Sequence, residues 1–400
     1  MRGLIKSTTV RAAAAFAIAG LAHAVAALLL ARQLPELQFA YVALFLAFLD
    51  FGAPVGAGGA DTVVVRYNLA ATAALFRRVL ATALAVALLV YFVSRQYYEF
   101  SLPLALVTAF AIVAGAGNRV AASIWQSMQM FRLALLQLQS SHVVLAVLAV
   151  IAIVFDWQAA LLVCVLHATY LAILGTVGWR KTRRSRPSDT PGLTQYPWHE
   201  CVSIVLITAG AQLAMQTERL LIPHLLRIED LALYGVLAAV VGSPFQMLSI
   251  AVGYTLMPRL KALGSTAQQN SALRNEAVLV MPLAAISAFL AWLLGPWIAH
   301  LFVGDKFLLT SPLIFAAILV GLGKVGNAFP ATIVKALGNA SDLNWLSVIS
   351  WLGLGVSVAA AWWLASWGLP GLLVGVATGW GIRIILSALL AQKVLQTRSG

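Results

Sequence analysis

A succession of long apolar runs narrows the fate of this chain more than any other feature. A helix rising 1.5 Å per residue needs about 20 apolar residues to cross the hydrocarbon core of a bilayer. Twelve runs of that order follow one another, at roughly 11–31, 37–59, 75–94, 102–122, 133–155, 157–179, 200–223, 231–256, 277–302, 310–334, 343–365 and 369–392. They are apolar all round and do not alternate, so they predict spanning helices and not the ~10-residue strands of a membrane barrel. Of the 400 residues, 62% are hydrophobic and 10% charged. A surface so poor in charge excludes a soluble enzyme and a soluble nucleic-acid binder. The net charge of +13 therefore needs another explanation.

Topology supplies it. Cytoplasmic segments of membrane proteins collect Lys and Arg. With the N-terminus in the cytoplasm, nineteen of the 26 basic residues fall in inside segments, four outside and three within spans. Twelve spans return the C-terminus to the same side. The expected location is the cell inner membrane, multi-pass, with both termini cytoplasmic. The densest basic stretch, Arg180-Lys181-Thr182-Arg183-Arg184-Ser185-Arg186-Pro187, reads as a cytoplasmic linker over 180–199. It separates an N-terminal six-helix bundle over 1–179 from a C-terminal one over 200–400. Ala22-His23-Ala24 has the small-residue pattern of a signal-peptide cleavage site, but the apolar run continues to Ala31, so the first run reads as a retained span. Cys164 and Cys201 lie in or beside apolar stretches and read as packing residues. No metal-ligand set is expected.

The two halves echo each other. At an offset of 193, Glu36 meets Glu229, Tyr41 meets Tyr234, Leu44 meets Leu237 and Arg66 meets Arg259. At an offset of 206, Gly115-Ala116-Gly117-Asn118 falls on Gly321-Leu322-Gly323-Lys324. Matched spans run in the same direction. The fold expected is an all-α integral membrane protein of twelve transmembrane helices, in two six-helix bundles related by a pseudo-two-fold axis along the membrane normal. Proline and glycine cluster in corresponding spans: Pro54 with Gly52, Gly56, Gly58 and Gly59 in the second, and Pro244 with Gly242 in the eighth. Such sites kink or unwind helices.

An ionisable residue deep in a bilayer costs ~2.5–3.5 kcal/mol on insertion scales, so it should face protein or a wet cavity. Arg219, Lys324 and Arg383 are the cations inside spans, against the acids Asp50 and Glu218. Arg119 adds to the cationic side. A cationic, partly wet cavity suits an anionic substrate, because phosphate oxygens accept charge-assisted bonds from Arg and Lys. The alternatives are structural: a tie between Lys324 and Asp50, a packed interface for Arg383, topology anchoring for Arg66 and Arg259, and packing for the intramembrane histidines His23, His142 and His167.

The stretch Gln216-Thr217-Glu218-Arg219-Leu220-Leu221-Ile222, then Glu229-Asp230-Leu231-Ala232-Leu233-Tyr234-Gly235, closing on Leu256-Met257-Pro258-Arg259-Leu260, resembles the oligosaccharide-lipid flippases of the polysaccharide biosynthesis family. These belong to the multidrug/oligosaccharidyl-lipid/polysaccharide exporter superfamily. Leu34-Pro35-Glu36-Leu37-Gln38-Phe39-Ala40-Tyr41 repeats the pattern in the first half. The resemblance implies a flippase that moves a polyprenyl-diphosphate-linked oligosaccharide across the cytoplasmic membrane by alternating access, for surface polysaccharide such as lipopolysaccharide. Its implied partners are that glycan lipid, the bilayer and other polysaccharide-assembly membrane proteins, with no nucleic acid and no cofactor. It also implies cavity cations on the diphosphate, for which Arg219, Lys324 and Arg119 are the first candidates and Arg383, Arg66 and Arg259 the next. Ion-coupling candidates are Glu218, Asp50 and His23.

Other readings are weaker. A cation-coupled drug or small-molecule antiporter of the same fold is the leading alternative, kept open by Asp50 although the first span holds no acid. A sugar facilitator would carry a Gly-x-x-x-Asp-Arg-x-Gly-Arg-Arg loop where this chain has Arg66-Tyr67-Asn68-Leu69-Ala70. A membrane glycosyltransferase or polymerase would need a large outside loop, and a phosphate-binding Gly-x-x-x-x-Gly-Lys-Ser/Thr sequence does not occur. The expectation is a transporter, not an enzyme.

Overall fold

The computed structural model describes residues 8–67, 69–185, 198–263 and 265–399. Arg2, Lys6 and the part of the expected linker over 186–197 lie outside the described residues. The chain forms two compact units, Met1–Gln212 and Leu213–Gly400.

The first unit contains α1 (Thr8–Gln33), α2 (Glu36–Gly56), α3 (Ala60–Tyr67), α4 (Ala73–Tyr97), α5 (Leu102–Ser127), α6 (Phe131–Val154) and α7 (Ala160–Ser185). Alanine and leucine dominate these helices and have the best intrinsic helix propensities. Their ends carry local signals. Thr72 caps α4 by accepting from the Leu75 backbone N–H at 3.1 Å, and Pro103 stands in the first turn of α5, where its missing N–H costs nothing. α2 is the central helix, with fifteen buried residues that include Phe39, Phe45 and Phe48. Around it α5 packs on α2, α4 and α7, and α1 packs on α6. The basic residues Arg180, Lys181 and Arg183 extend α7 and are not loop.

The glycine cluster after Pro54 does interrupt the chain. α2 continues past Pro54 to Gly56. The backbone then turns through Gly58 (φ 63°) and Gly59 (φ 73°), a left-handed conformation that favours glycine. Residues 60–67, read from sequence as span end and loop, form the short helix α3.

α8 (Trp198–Leu225) holds the division between the units. On the first unit's side, Cys201 and Ile204 lie against Gly59. The second unit continues with α9 (Ile228–Leu237), a π-helical turn (Ala238–Gly242), α10 (Ser243–Ala262), α11 (Thr266–Val303), α12 (Ser311–Leu337), α13 (Ala340–Leu364) and α14 (Gly368–Ser399). The eighth span is thus α9, the π turn and α10, with the backbone staying helical through Gly242 and Ser243. α14 packs on both α12 and α13, and α10 packs on α12. Side chains of α11 such as Val278, Phe289, Leu293 and Trp297 stay exposed. An apolar surface of that kind is stable only against lipid.

Among the described residues, eleven helical stretches are long and apolar enough to cross a membrane. The last, Ala340–Thr397, is 58 residues long and is broken by the 3-10 turn Ala365–Trp367 and by Gly368 at φ 71°. It has the length for two crossings, which brings the total among the described residues to twelve. This is a multi-pass, all-α membrane protein of the expected twelve-span, two-bundle class.

Candidate functional site

In the second unit a small pocket opens among α8, α9, the π turn, α10, α12 and α14. Helical spacing explains its walls. Met215, Gln216 and Arg219 share one face of α8, while Ala317, Val320, Gly321 and Lys324 form an i, i+3, i+4, i+7 stripe on α12. Tyr234, Ala238, Gly242 and Gln246 close the opposite side. The volume is about 40 Å³, room for about one water. A substrate can enter only when these helices part.

Two glycines set the wall that carries the lysine. A Cβ on Gly323 would stand 2.7 Å from Trp380 Cβ, and one on Gly321 would stand 2.6 Å from Phe245 Cγ. Their absence of side chain lets α14 and α10 close on α12 and holds Lys324 in a protein interior.

The charges of the pocket are paired. Lys324 Nζ lies 2.9 Å from Glu218 Oε1, with Glu218 fully buried, and it also donates to the Met215 carbonyl at 3.4 Å. Glu218 Oε2 is buried without a hydrogen-bond partner among the described residues. Arg219 Nη1 donates to Gln216 Oε1 at 3.3 Å. Arg219 and Lys324 thus line the pocket together, with Glu218 paired to Lys324. In a low-dielectric interior an ion pair of this kind holds only while both members stay charged, because either member alone is strongly unfavourable. The π turn borders the same space, and Ser243 Oγ donates to the Ala238 carbonyl at 3.2 Å. π turns within helices frequently mark functional sites.

The sequence-derived candidates divide accordingly. The structure brings together Arg219, Lys324 and Glu218. The partner of Lys324 is Glu218, where the sequence offered Asp50 as the structural tie. The acid one residue before Arg219 points away from its neighbour in sequence and toward α12, a choice that helical phase and packing make and that spacing alone leaves open.

The other candidates stand elsewhere. Arg119, in the first unit, pairs with Asp61 of α3 at 3.5 Å. Arg383 is buried over the Trp380 ring, 4.5 Å from its centroid, and donates to Ser350 Oγ at 3.3 Å. That is the packed-interface role. Arg259 Nη1 meets Glu276 Oε2 at 3.0 Å, and Thr255 Oγ1 donates to Glu276 Oε1 at 2.9 Å. Arg66 sits 5.6 Å from the Tyr67 ring centroid. His23 of α1 stands edge-on to His142 of α6, with ring centroids 5.2 Å apart, and Asp50 of α2 acts on His142 through its charge.

Sequence reading missed Gln216 and Gln246 as pocket residues and Asp61 and Glu276 as the partners of Arg119 and Arg259. The signal for the two acids was their rarity, since only thirteen residues are Asp or Glu. An acid at the end of a span needs a partner: Asp61 of α3 finds Arg119 of α5, and Glu276 of α11 finds Arg259 of α10.

No family model matches the chain. No curated protein matches it either. Solved structures do. An inward-facing multidrug resistance MATE family transporter of the MOP superfamily superposes with a TM-score of 0.67 at 12% identity, covering 95% of each chain. The lipid II flippase MurJ, in an inward closed conformation, superposes with a TM-score of 0.65 at 13% identity over 98% of this chain and 90% of its own. A MOP superfamily transporter from Pyrococcus furiosus, described as having a binding pocket of reverse polarity, gives 0.63 at 13% over 99% and 98%. MATE transporters of this fold have been solved in both inward-facing and outward-facing conformations. These proteins are described as transporters or, for MurJ, a flippase, and at such low identity the likeness concerns architecture. The chain shares its fold with these solved MATE and MurJ structures.

Proposed function

We propose that the chain is a cation-coupled antiporter that moves a small molecule bearing an anionic group across the cytoplasmic membrane by alternating access. The observation that carries this reading is the pocket lining: Arg219 and Lys324 face one space, with the carboxylate of Glu218 on Lys324. An entering carboxylate or phosphate competes with Glu218 for Lys324 and takes hydrogen bonds from Arg219, in a site where few waters screen the attraction. The closed pocket requires helix movement for entry. The π turn, with Gly242 at its end and Pro244 just after it, supplies a place where α9 and α10 can bend. The charge distribution supports placing both termini in the cytoplasm. Several of the solved relatives are multidrug transporters, which favours a soluble small-molecule substrate.

The test is exchange in proteoliposomes holding the full chain. A small organic anion should move faster than an organic cation of the same size, and Arg219→Gln should erase that preference. Equal rates for both would remove the electrostatic basis of the proposal.

A second reading has its own support. The paired cations also suit a diphosphate, and the stretch Gln216 to Ile222 resembles lipid-linked oligosaccharide flippases. Under it, Arg219 and Lys324 hold the diphosphate of a polyprenyl-linked glycan while the lipid tail stays in the bilayer. Rescue of surface glycan in a strain lacking its lipid-linked-glycan flippase would favour this reading. Failure to rescue, with anion exchange intact, would favour the antiporter.

A further inference from the structure

Arg383 carries a charge that its packing leaves unanswered. It stands at the middle of α14, roughly 23 Å from either end of the helix, and is 3% exposed. Its seat is closely built. Gly353 of α13 has no side chain where the stem of Arg383 passes, and Gly323 of α12 makes the same room for Trp380. Trp380 stands one turn before Arg383 on the same side of α14, with its ring centroid 4.5 Å from Arg383 Cζ. Arg383 Nη2 donates to Ser350 Oγ at 3.3 Å, and that hydroxyl donates in turn to the Leu346 carbonyl at 2.9 Å. Packing therefore uses one face of the guanidinium and one of its donors.

Two donors of this stack are left over. Arg383 Nη1 and Trp380 Nε1 are both buried without a hydrogen-bond partner among the described residues, and Trp380 is also 3% exposed. Guanidinium and indole N–H groups donate and never accept, so each calls for an acceptor, and the guanidinium calls for negative charge as well. It does not lose its proton at physiological pH, and an isolated charge in an apolar interior is strongly unfavourable.

The surrounding helices do not supply that charge. α12, α13 and α14 carry Lys324, Lys335, Arg383, Lys393 and Arg398 against Asp342 alone. Asp342 lies eight residues before Ser350, roughly 12 Å along α13, and accepts from the Asn339 backbone N–H at 3.0 Å as part of a helix cap. The other acids of the second unit are engaged elsewhere. Glu218 meets Lys324, Glu276 meets Arg259, Asp305 meets His300, and Glu229 and Asp230 both bond at Arg227.

We propose that Arg383 and Trp380 form a binding site for one small inorganic anion, of the size and charge of chloride, inside the second unit. The anion accepts from Arg383 Nη1 and Trp380 Nε1 and neutralises the guanidinium. A monatomic ion needs the least room among side chains packed this closely, and a single negative charge matches a single cation. The site is separate from the substrate pocket: Gly321 and Lys324 of α12 line the pocket, whereas Gly323 faces Trp380. An ion held there secures α14 against α12 and α13, the helices it packs on, and so supports the wall that carries Lys324. The proposal does not depend on what the protein transports.

The experiment melts the full chain in lipid nanodiscs, in sodium chloride and in sodium gluconate at equal ionic strength, and measures binding of radioactive chloride to the same sample. The melting temperature should rise saturably as chloride replaces gluconate, with about one ion bound per chain. Trp380→Phe keeps a ring under the guanidinium and loses the N–H, so it should raise the half-saturating chloride concentration about tenfold or more. Arg383→Met should bind no chloride and melt alike in both salts. Arg219→Gln, which alters the pocket, should keep the chloride response of the wild type. Equal melting of the wild type in both salts with no chloride bound overturns the site, and water on the two donors would give that result. A half-saturating concentration that Trp380→Phe leaves unchanged also overturns it, as does a response lost in Arg219→Gln, which would put the ion in the substrate pocket. If Arg383→Met fails to fold, Trp380→Phe and Arg219→Gln still decide.

Discussion

The two halves place a polar residue at the same point of corresponding helices and treat it in opposite ways. Asn118 on α5 and Lys324 on α12 are related by the 206-residue offset. Asn118 is buried in a neutral network: it donates to the Gln137 carbonyl at 2.9 Å, accepts from Gln137 Nε2 at 2.6 Å, and Gln137 Nε2 also reaches the Leu174 carbonyl at 2.8 Å. Lys324 instead meets a buried carboxylate whose second oxygen has no hydrogen-bond partner among the described residues. A satisfied amide pair fixes helices in register and asks nothing of a ligand. An ion pair with an unsatisfied oxygen, beside a second cation and a pocket, can exchange partners. The same framework thus holds a satisfied tie in one unit and, under the proposed function, a binding element in the other.

The comparison can be broken most severely at Lys324. Lys324→Ala leaves Glu218 charged and alone in the interior, and we expect a stability loss of ~3–5 kcal/mol with transport abolished. Adding Glu218→Gln should restore most of the thermal stability in nanodiscs without restoring transport. A double variant that transports like the wild type would show that the pair is only structural.

The next largest effect tests the opposite claim for the first unit. Asn118→Leu strips Gln137 of two of its contacts, so the melting transition should fall by the equivalent of ~1–3 kcal/mol. Substrate preference among the folded molecules should stay unchanged. A changed anion-to-cation ratio at constant folded fraction would erase the distinction between the halves.

Arg219→Gln sharpens the binding half. Removing one of two cations should raise the half-saturating anion concentration about tenfold, a loss of ~1.4 kcal/mol, with little change in melting. The smallest effect is expected at Arg119→Gln. Its pair with Asp61 is longer, at 3.5 Å, and the arginine is partly exposed, so less than ~1 kcal/mol of stability is at stake. Transport by that variant should be close to wild type, and a deep transport defect would move Arg119 into the binding machinery.

Particular residues show how far the sequence could be read. The runs of apolar residues gave twelve spans because hydrogen-bond satisfaction in lipid leaves few alternatives to a helix. The rarity of charge made Glu218, Arg219, Lys324 and Arg383 stand out. Four side chains of similar sequence signal then had different fates. Lys324 and Arg219 reached a pocket, Arg383 was absorbed over Trp380 and Ser350, and Arg119 turned to Asp61. His142 of α6 meets His23 of α1 edge-on, a pairing that no spacing along the chain contains.

What the sequence determined alone was the solvent and the architecture class. Both follow from sums over local properties: hydrophobicity over some twenty residues, the charge of connecting segments, and glycine or proline at breaks. What only the tertiary structure decided was which charges meet. That depends on the rotation of each helix about its axis and on close approaches such as Gly323 against Trp380. A rotation of 100° per residue is enough to send adjacent Glu218 and Arg219 to different partners, and no sum along the chain contains that angle.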